Sequence, residues 1–190
     1  MGKIISILGK SSTGKDSLLN LMVEKGYKRV ISYTSRERRS NEVNHRDYHF
    51  VTKETMLKMI KNDEFVETRT YHVVGGETWY YGINKNEIDL NSKDNYISVV
   101  DGDGFKELRD YYGNSNVLGI YLWINNRERL LRALNRCDVD DKGVLEIIRR
   151  FQDDDIKFTK EVVDNCILKI NNINLSETFD VVIRNIKNGV

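Results

Sequence analysis

A glycine-rich stretch near the start of the chain has the residue types of a phosphate-binding loop. It follows an apolar run at residues 4–8 and precedes a run with helical apolar periodicity. The backbone N–H groups of such a turn, and of the helix N-terminus after it, can hold phosphate oxygens. Lys15 adds a point charge that can reach terminal phosphates. The residues predicted to bind a donor nucleotide here are Gly9, Ser12, Thr13, Gly14, Lys15, Asp16 and Ser17.

The phosphate-loop pattern G-x-x-x-x-G-K-S/T is broken at its last position. Asp16 stands where a Ser or Thr hydroxyl usually meets Mg²⁺, and Ser17 comes one residue later. Mg²⁺ prefers oxygen ligands, so Asp16 and Ser17 are the predicted metal ligands. A carboxylate at this position could coordinate the ion directly or through water, or it could repel phosphate if badly placed.

A cluster of arginines follows the second apolar piece of the chain. Arginine forks bind phosphate oxygens in pairs, and nearby hydroxyls add further donors. Beside a phosphate loop, this cluster predicts a site for the phosphate of a phosphoryl acceptor; a solvated basic loop is the alternative. The cluster consists of Arg36, Arg38 and Arg39, with Ser32, Ser35 and Tyr48 nearby in sequence.

Four further arginines lie on two predicted helices. Arg132 and Arg136 are four residues apart on one helix, and Arg149 and Arg150 lie on the next. Positive charge over a transferring phosphoryl group stabilises its oxygens, and a closing helix pair excludes water. The spacing predicts a lid at residues 132–150, and an exposed charged helix pair is the alternative.

Two carboxylates come at the ends of predicted strands. Glu67 follows a short apolar strand and could accept two N–H bonds from a base edge, or it could be an exposed strand residue. Asp101 ends a buried strand at residues 96–100, where it could contact a metal or a base, or serve a structural turn.

The elements that must position these residues alternate between strand and helix. This alternation predicts an α/β fold, a parallel sheet with helices on both faces, with ligands at the carboxyl ends of the strands. Residues 34–89 break the alternation and are predicted to form a small α+β acceptor-binding insert. We therefore expect a single domain over residues 1–190. Residues 30–33 are predicted as a short strand.

Apolar periodicity also predicts the helix boundaries and buried faces. Thr52 and Ser176 are predicted N-caps because Ser and Thr side chains can accept from the first turn. Leu130, Leu131 and Leu134 are predicted to face inward on one helix. A long helix after it carries Val144, Leu145, Ile148 and Phe151, and the apolar face of the last helix is formed by Phe179, Val182, Ile183 and Ile186.

The composition argues against a nucleic-acid-binding protein and against a membrane-spanning one. The net charge of +1 gives no support to a general nucleic-acid surface, and no apolar stretch has the length of a membrane span. Cys137 and Cys166 have no metal or redox spacing and are expected as free thiols. Together these features predict a cytoplasmic chain that binds neither nucleic acid nor membrane.

The chain resembles the guanylate kinase family over nearly its whole length. The run Ser32–Val51 is similar to the family signature S-x-T-S/T-R-x-x-R-x-G-E-x-x-G-x-D-Y-x-F without a gap. Asn62–Glu67 and Tyr80–Gly82 continue the resemblance in order.

That resemblance implies a P-loop kinase fold and the reaction ATP + GMP giving ADP + GDP, with Mg²⁺. It implies small nucleotides as partners, for a monomer or homodimer. By the resemblance, Lys15 and the loop hold ATP, Asn171 lies near the adenine, and Arg132, Arg136 and Arg150 close over the transferred group. The implied acceptor residues are Ser32, Arg36, Arg39, Tyr48 and Tyr81 for the phosphate, and Glu67 and Asp101 for guanine.

The chain departs from the family pattern at Asp16, Asn41, His45, Ile83 and Val99. Ile83 matters most, since the family has a Ser or Thr there that contacts guanine. The loop also resembles that of the ribose 1,5-bisphosphate phosphokinases, which act on a sugar phosphate. A guanylate kinase-like scaffold domain that binds peptides without chemistry is a second alternative.

Overall fold

The apolar runs of the sequence form strands and the periodic runs form helices. The computed structural model describes residues 2–40, 42–135 and 140–188, so Asn41, Arg136 and Cys137 lie outside the described residues. The strands are β1 (Ile4–Leu8), β2 (Lys28–Arg29), β3 (Tyr33–Thr34), β4 (His49–Phe50), β5 (Phe65–His72), β6 (Thr78–Asn84), β7 (Tyr96–Val99), β8 (Val117–Trp123) and β9 (Leu168–Asn171). The helices are α1 (Lys15–Glu24), α2 (Lys53–Lys61), α3 (Gly102–Tyr112), α4 (Asn126–Leu134), α5 (Asp141–Lys157), α6 (Lys160–Asp164) and α7 (Leu175–Lys187).

Five of these strands form a parallel sheet in the order β2-β7-β1-β8-β9. The central strand β1 is buried at every position, which is why its sequence is apolar except for Ser6. Ile4 and Leu8 pack on one face with Phe105 of α3. Ile5 packs on the other face with α1 and α7. The predicted parallel sheet with helices on both faces is confirmed.

A second sheet, in the order β4-β3-β6-β5, spans Tyr33–Asn84. Its long ribbon of β5 and β6 is antiparallel, and β3 joins β6 antiparallel and β4 parallel. Helix α2 follows β4 and precedes β5 in the chain. The side chain of its N-cap, Thr52, accepts from the Thr55 N–H as predicted. This sheet lies almost wholly within the predicted insert, residues 34–89.

The predicted strand at residues 30–33 is wrong, because the chain changes sheets there. The Val30 N–H still donates to Ile97 in the central sheet, whereas the Ser32 carbonyl accepts from His49 in the second sheet. Residues 30–32 therefore connect the two sheets and lie outside both β2 and β3.

One predicted helix face is also wrong. On α4, Arg129 is 2% exposed and Ala133 is buried, whereas Leu130, Leu131 and Leu134 are exposed, Leu130 by 42%. A buried arginine can take the inward position because its donors are satisfied there. On α5, the apolar residues Val144, Leu145 and Ile148 are exposed.

The last helix agrees with prediction in its buried face but not in its cap. Val182 is buried, and Phe179, Ile183 and Ile186 pack around it. The N-cap is Asn174, whose side chain accepts from the N–H groups of Ser176 and Glu177. Cys166 is a buried free thiol, as expected. Within the described ranges, no helix combines the length and apolar character needed to span a membrane.

Candidate active site

The phosphate loop joins β1 to α1 and depends on two glycines. Gly9 has φ +147°, and a Cβ there would lie 2.4 Å from the Leu122 carbonyl oxygen. Gly14 has φ +91°, and a Cβ there would lie 2.5 Å from the Asn172 amide nitrogen. Any other residue would be strained at either position. Steric exclusion of a side chain therefore explains why the loop has glycine at both.

The start of α1 is arranged to receive an anion. Gly14 is its N-cap and provides no side-chain hydrogen bond to the first turn. The first-turn N–H groups and the helix dipole therefore favour negative charge at this end. Lys15 folds back over the loop and donates to the carbonyls of Gly9 (2.7 Å) and Lys10 (3.0 Å). Asp16 and Ser17, the predicted metal ligands, are exposed in the first turn.

A buried ion pair holds the back of the loop. Asp154 of α5 accepts from the Ser11 N–H at 2.8 Å and from the Ser11 hydroxyl at 3.2 Å. Arg129 of α4 donates to the Ser11 carbonyl at 2.9 Å and pairs with Asp154. Burial raises the pKa of Asp154 and lowers that of Arg129, and their mutual attraction opposes both shifts. The sequence analysis did not predict this pair, because three separate segments have to meet before it forms.

Asn172, which directly follows β9, contacts the other side of the loop. Asn172 is buried and its side chain donates to the Thr13 carbonyl at 2.7 Å. Arg132 donates to the Asn172 carbonyl at 3.1 Å, which places this predicted lid residue beside the loop. Asn171 ends β9 and is exposed, and its predicted place near the adenine stays a prediction.

The predicted acceptor phosphate residues lie together on the second sheet and the segment after β3. Arg36 is buried and donates from Nε to the Tyr81 hydroxyl at 3.0 Å. Its Nη2 pairs with Glu42 at 2.7 Å, and its guanidinium stands 5.6 Å from the centre of the Tyr48 ring. The neighbouring Ser32 is also buried.

Positive charges from two segments converge at this site. Arg39 is exposed as a residue, but partial desolvation of its guanidinium, followed by the nearby charges of Arg36 and Arg150, lowers its pKa. Arg150 comes from α5, where its Nε donates to Glu146 at 2.8 Å. Like charges held this close are stabilised by an anion between them, so the cluster can bind phosphate oxygens. Arg136, the remaining predicted catalytic arginine, lies outside the described residues.

The donor and acceptor regions influence one another. Burial, followed by the carboxylate of Asp16 in the donor loop, raises the pKa of Tyr48 to about 12. At neutral pH the Tyr48 phenol is therefore a hydrogen-bond donor, which suits contact with a phosphate. Asp16 of the donor loop and Tyr48 of the acceptor region are therefore close enough to interact electrostatically.

Glu67 and Asp101 are both buried, and both already have charged partners. Glu67 is 1% exposed, and its Oε2 lies 2.9 Å from Nε of Arg69. Asp101 accepts at 2.8 Å from the Tyr71 hydroxyl and at 2.8 Å from Lys157 Nζ. Burial raises the pKa of Glu67, whereas Arg69 and Lys157 outweigh burial and lower the pKa of Asp101.

Arg69, Tyr71 and Lys157 were not predicted as site residues. Glu67, Arg69 and Tyr71 alternate along β5, so the period of two would have placed them on one face. The sequence analysis ended that strand at Glu67 and missed the signal. Lys157 lies at the end of α5, far away in sequence, and no local pattern identifies it.

Comparison with known proteins identifies the family of the chain. The guanylate kinase family model matches residues 1–187. The chain is 38% identical to a protein named guanylate kinase 2, chloroplastic/mitochondrial, from Oryza sativa subsp. japonica, over 69% of this chain but only 45% of that protein. It is 30% identical to a guanylate kinase of Fusobacterium nucleatum subsp. nucleatum, over 77% of each chain.

A solved structure shows the same fold. The crystal structure of guanylate kinase from Anaplasma phagocytophilum matches with a TM-score of 0.69 and 20% identity, over 98% of this chain and 85% of that chain. The family match covers nearly the whole sequence and confirms the predicted family, fold and enzyme class. This chain belongs to the guanylate kinase family of phosphotransferases.

Proposed function

We propose that this chain transfers the γ-phosphoryl group of ATP to GMP and releases ADP and GDP. The observation that carries the proposal is the convergence of Arg36, Arg39 and Arg150 from two separate segments. In-line phosphoryl transfer requires positioning and positive charge and little covalent chemistry from the protein. An arginine cluster facing a phosphate loop supplies both.

Each region has its own part in this reaction. The loop amides and Lys15 hold the ATP phosphates, and Arg132, Arg136 and Arg150 neutralise the charge of the transferring group. Glu67 and Asp101 accept from the N–H groups of guanine. The acceptor phosphate is held by Ser32, Arg36, Arg39, Tyr48 and Tyr81. In this proposal residues 34–89 are the acceptor insert and residues 132–150 are the lid.

The guanylate kinase family generally uses ATP with Mg²⁺, and the residues present fit that ion. Asp16 offers an exposed carboxylate on the side of the loop that faces Tyr48. In the described part of the chain, no group of three or more His, Cys, Asp or Glu could hold a metal by itself. Mg²⁺ commonly takes one or two protein oxygens plus substrate phosphates, so Asp16 and Ser17 would hold it together with ATP. When bound, the ion would neutralise phosphate charge.

A coupled ADP-release assay against GMP, dGMP, AMP, UMP and ribose 1,5-bisphosphate tests the proposal. We expect the highest kcat/KM with GMP. Turnover of none of the five would contradict the kinase proposal.

The second candidate is a ribose 1,5-bisphosphate phosphokinase, which Arg69 favours because a guanidinium beside Glu67 could bind a second phosphate. Turnover of the sugar phosphate alone would select it. Glu67→Ala separates the two, since it should lower GMP use far more than sugar-phosphate use. The cytoplasmic location and the monomeric or homodimeric state stay predictions.

A further inference from the structure

One face of the β5–β6 ribbon combines a carboxylate with a guanidinium. Glu67 pairs with Ile83 across the ribbon, and Arg69 pairs with Tyr81. Directly opposed residues on antiparallel strands present their side chains to the same face, so these four side chains share one side of the sheet. Ile83 is buried and aliphatic, and β6 therefore offers no side-chain donor beside Glu67.

The geometry of Arg69 leaves part of its guanidinium unused. Its Nη2 donates to Oε1 of Glu67 at 3.0 Å, and its Nε lies 2.9 Å from Oε2. The guanidinium stands 5.8 Å from the centre of the Tyr81 ring, and the side chain is 9% exposed. Within the described ranges, Nη1 has no hydrogen-bond partner, although it carries two N–H donors.

The Glu67–Arg69 pair therefore presents a donor and an acceptor next to each other. Arginine donates from the free edge of its fork, and each carboxylate oxygen keeps a second lone pair. The neighbouring charges of Glu67 and Asp101 outweigh burial and raise the pKa of Arg69, so it remains a cation and a donor. A ligand that matches this pair has a carbonyl oxygen beside a ring N–H.

We propose that Arg69 is a specificity-determining residue of the acceptor site, donating from Nη1 to the O6 carbonyl of guanine while Glu67 accepts from the adjacent ring N–H. This inference rests on the proposed function and names the substrate class as nucleotides of 6-oxopurines. Adenine would place an amino donor against the guanidinium and an unprotonated ring nitrogen against the carboxylate. Both contacts are unfavourable, so the pair rejects AMP as well as selecting GMP.

The test compares kcat/KM for GMP, IMP and 6-thio-GMP in wild type and in Arg69→Met. IMP keeps O6 and the ring N–H, whereas 6-thio-GMP replaces O6 by sulfur, a weak acceptor. We expect Arg69→Met to lower kcat/KM for GMP and IMP by about 10- to 100-fold. For 6-thio-GMP the expected loss is less than about threefold, because that substrate forms little of the contact that the variant removes.

Arg109→Met is the matched control. Arg109 also stacks on an aromatic ring, that of Phe105, and donates to Asn165 at 2.7 Å, but it lies on α3 outside the ribbon face. In the control, the ratio of kcat/KM for GMP to kcat/KM for 6-thio-GMP should equal the wild-type ratio. Arg69→Lys covers the case in which Arg69→Met fails to fold, because it keeps a cation for Glu67 but loses the planar fork. A GMP to 6-thio-GMP ratio of kcat/KM that is smaller in Arg69→Lys than in wild type would then support the proposal.

Two outcomes separate this inference from the function on which it rests. If wild type phosphorylates GMP and the ratio of GMP to 6-thio-GMP is unchanged in the folded Arg69 variants, the role of Arg69 is overturned and the kinase proposal stands. If wild type phosphorylates no 6-oxopurine nucleotide, the proposed function fails and the inference fails with it.

Discussion

The donor loop and the acceptor sheet bind phosphate in different ways. The donor loop uses backbone: two glycines with positive φ, the uncapped start of α1, and one lysine folded over the turn. The acceptor sheet uses side chains, with Arg36 fixed by Tyr81 and Glu42 and with Arg39 close to Arg36 and Arg150. Backbone donors come from a continuous segment, whereas the acceptor donors come from strands that are distant in sequence.

This difference sets what a substitution can change. In the donor loop, most side chains contribute little donor capacity, and Lys15 is the exception because it supplies a charge. In the acceptor sheet, each arginine supplies donors that no backbone group replaces. Four substitutions therefore sharpen the comparison or break it.

Lys15→Ala should have the largest effect. Removing the charge over the loop should lower kcat by at least about 10³-fold, because positive charge at the terminal phosphates is lost. Lys10→Ala is the control, since Lys10 pairs with the exposed Asp155 and should change kcat by less than about threefold. Steady-state rates at saturating ATP and GMP measure both variants. Near-normal activity in Lys15→Ala would show that the donor loop does not depend on the Lys15 charge.

Arg39→Met should affect the acceptor and leave the donor alone. We expect kcat/KM for GMP to fall by about 10²-fold, because a phosphate donor is lost, while the KM for ATP changes by less than about twofold. The neighbouring Arg38→Met is the control, since Arg38 is an equally exposed arginine and its side chain donates to the Glu42 carbonyl. A similar loss in both variants would indicate a general charge effect and contradict a specific acceptor site.

Asp154→Asn should show how far the donor loop depends on side chains behind it. Arg129 would remain buried without a charged partner, so the free energy of unfolding should fall by about 3 kcal/mol. Asp155→Asn removes only the exposed pair with Lys10 and should change that free energy by less than about 0.5 kcal/mol. Urea unfolding followed by circular dichroism measures both variants, and equal stability of the two would show that the buried pair does not stabilise the loop.

Glu146→Gln should have the smallest effect, at a carboxylate of α5 that accepts at 3.4 Å from the Val74 N–H between β5 and β6. Burial would raise the pKa of Glu146, but hydrogen bonds from Arg149 and Arg150 lower it to about 2 from 4.5. Because the folded value is the lower one, the ionised side chain stabilises the fold above about pH 4.5, and this stability is lost as the pH falls toward 2.

The resulting difference in unfolding free energy between wild type and Glu146→Gln should be at most about 1 kcal/mol at neutral pH. It should shrink as acid protonates the wild-type carboxylate. Unfolding curves at a series of pH values measure this, and a difference that does not depend on pH would contradict the lowered pKa.

Local patterns predicted much of this protein correctly. The loop glycines, the Thr52 cap and the apolar run of β1 are each visible within a few consecutive residues. The predicted arginines after β3 also lie together with Tyr48 and Tyr81. Such features follow from sterics and spacing, which a sequence displays directly.

The misplaced face of α4 and the missed Arg69 share one cause, which is a polar residue that a distant partner stabilises in the interior. The leucines of α4 were predicted inward from their apolar spacing, but Arg129 takes the inward position and is buried against Ser11 and Asp154. Arg69 was missed because its partner Glu67 was taken as the end of a strand. No count of apolar residues can anticipate such pairs.

The sequence by itself determined the phosphate loop, the alternation of strands and helices, and the family, because each of these depends on contiguous residues and their spacing. Tertiary structure alone decided which charges neutralise one another. It paired Arg129 with Asp154 behind the donor loop, and Arg69 with Glu67 at the acceptor. The reason is that burial makes an unpaired charge costly, and only the folded chain brings its partner within reach.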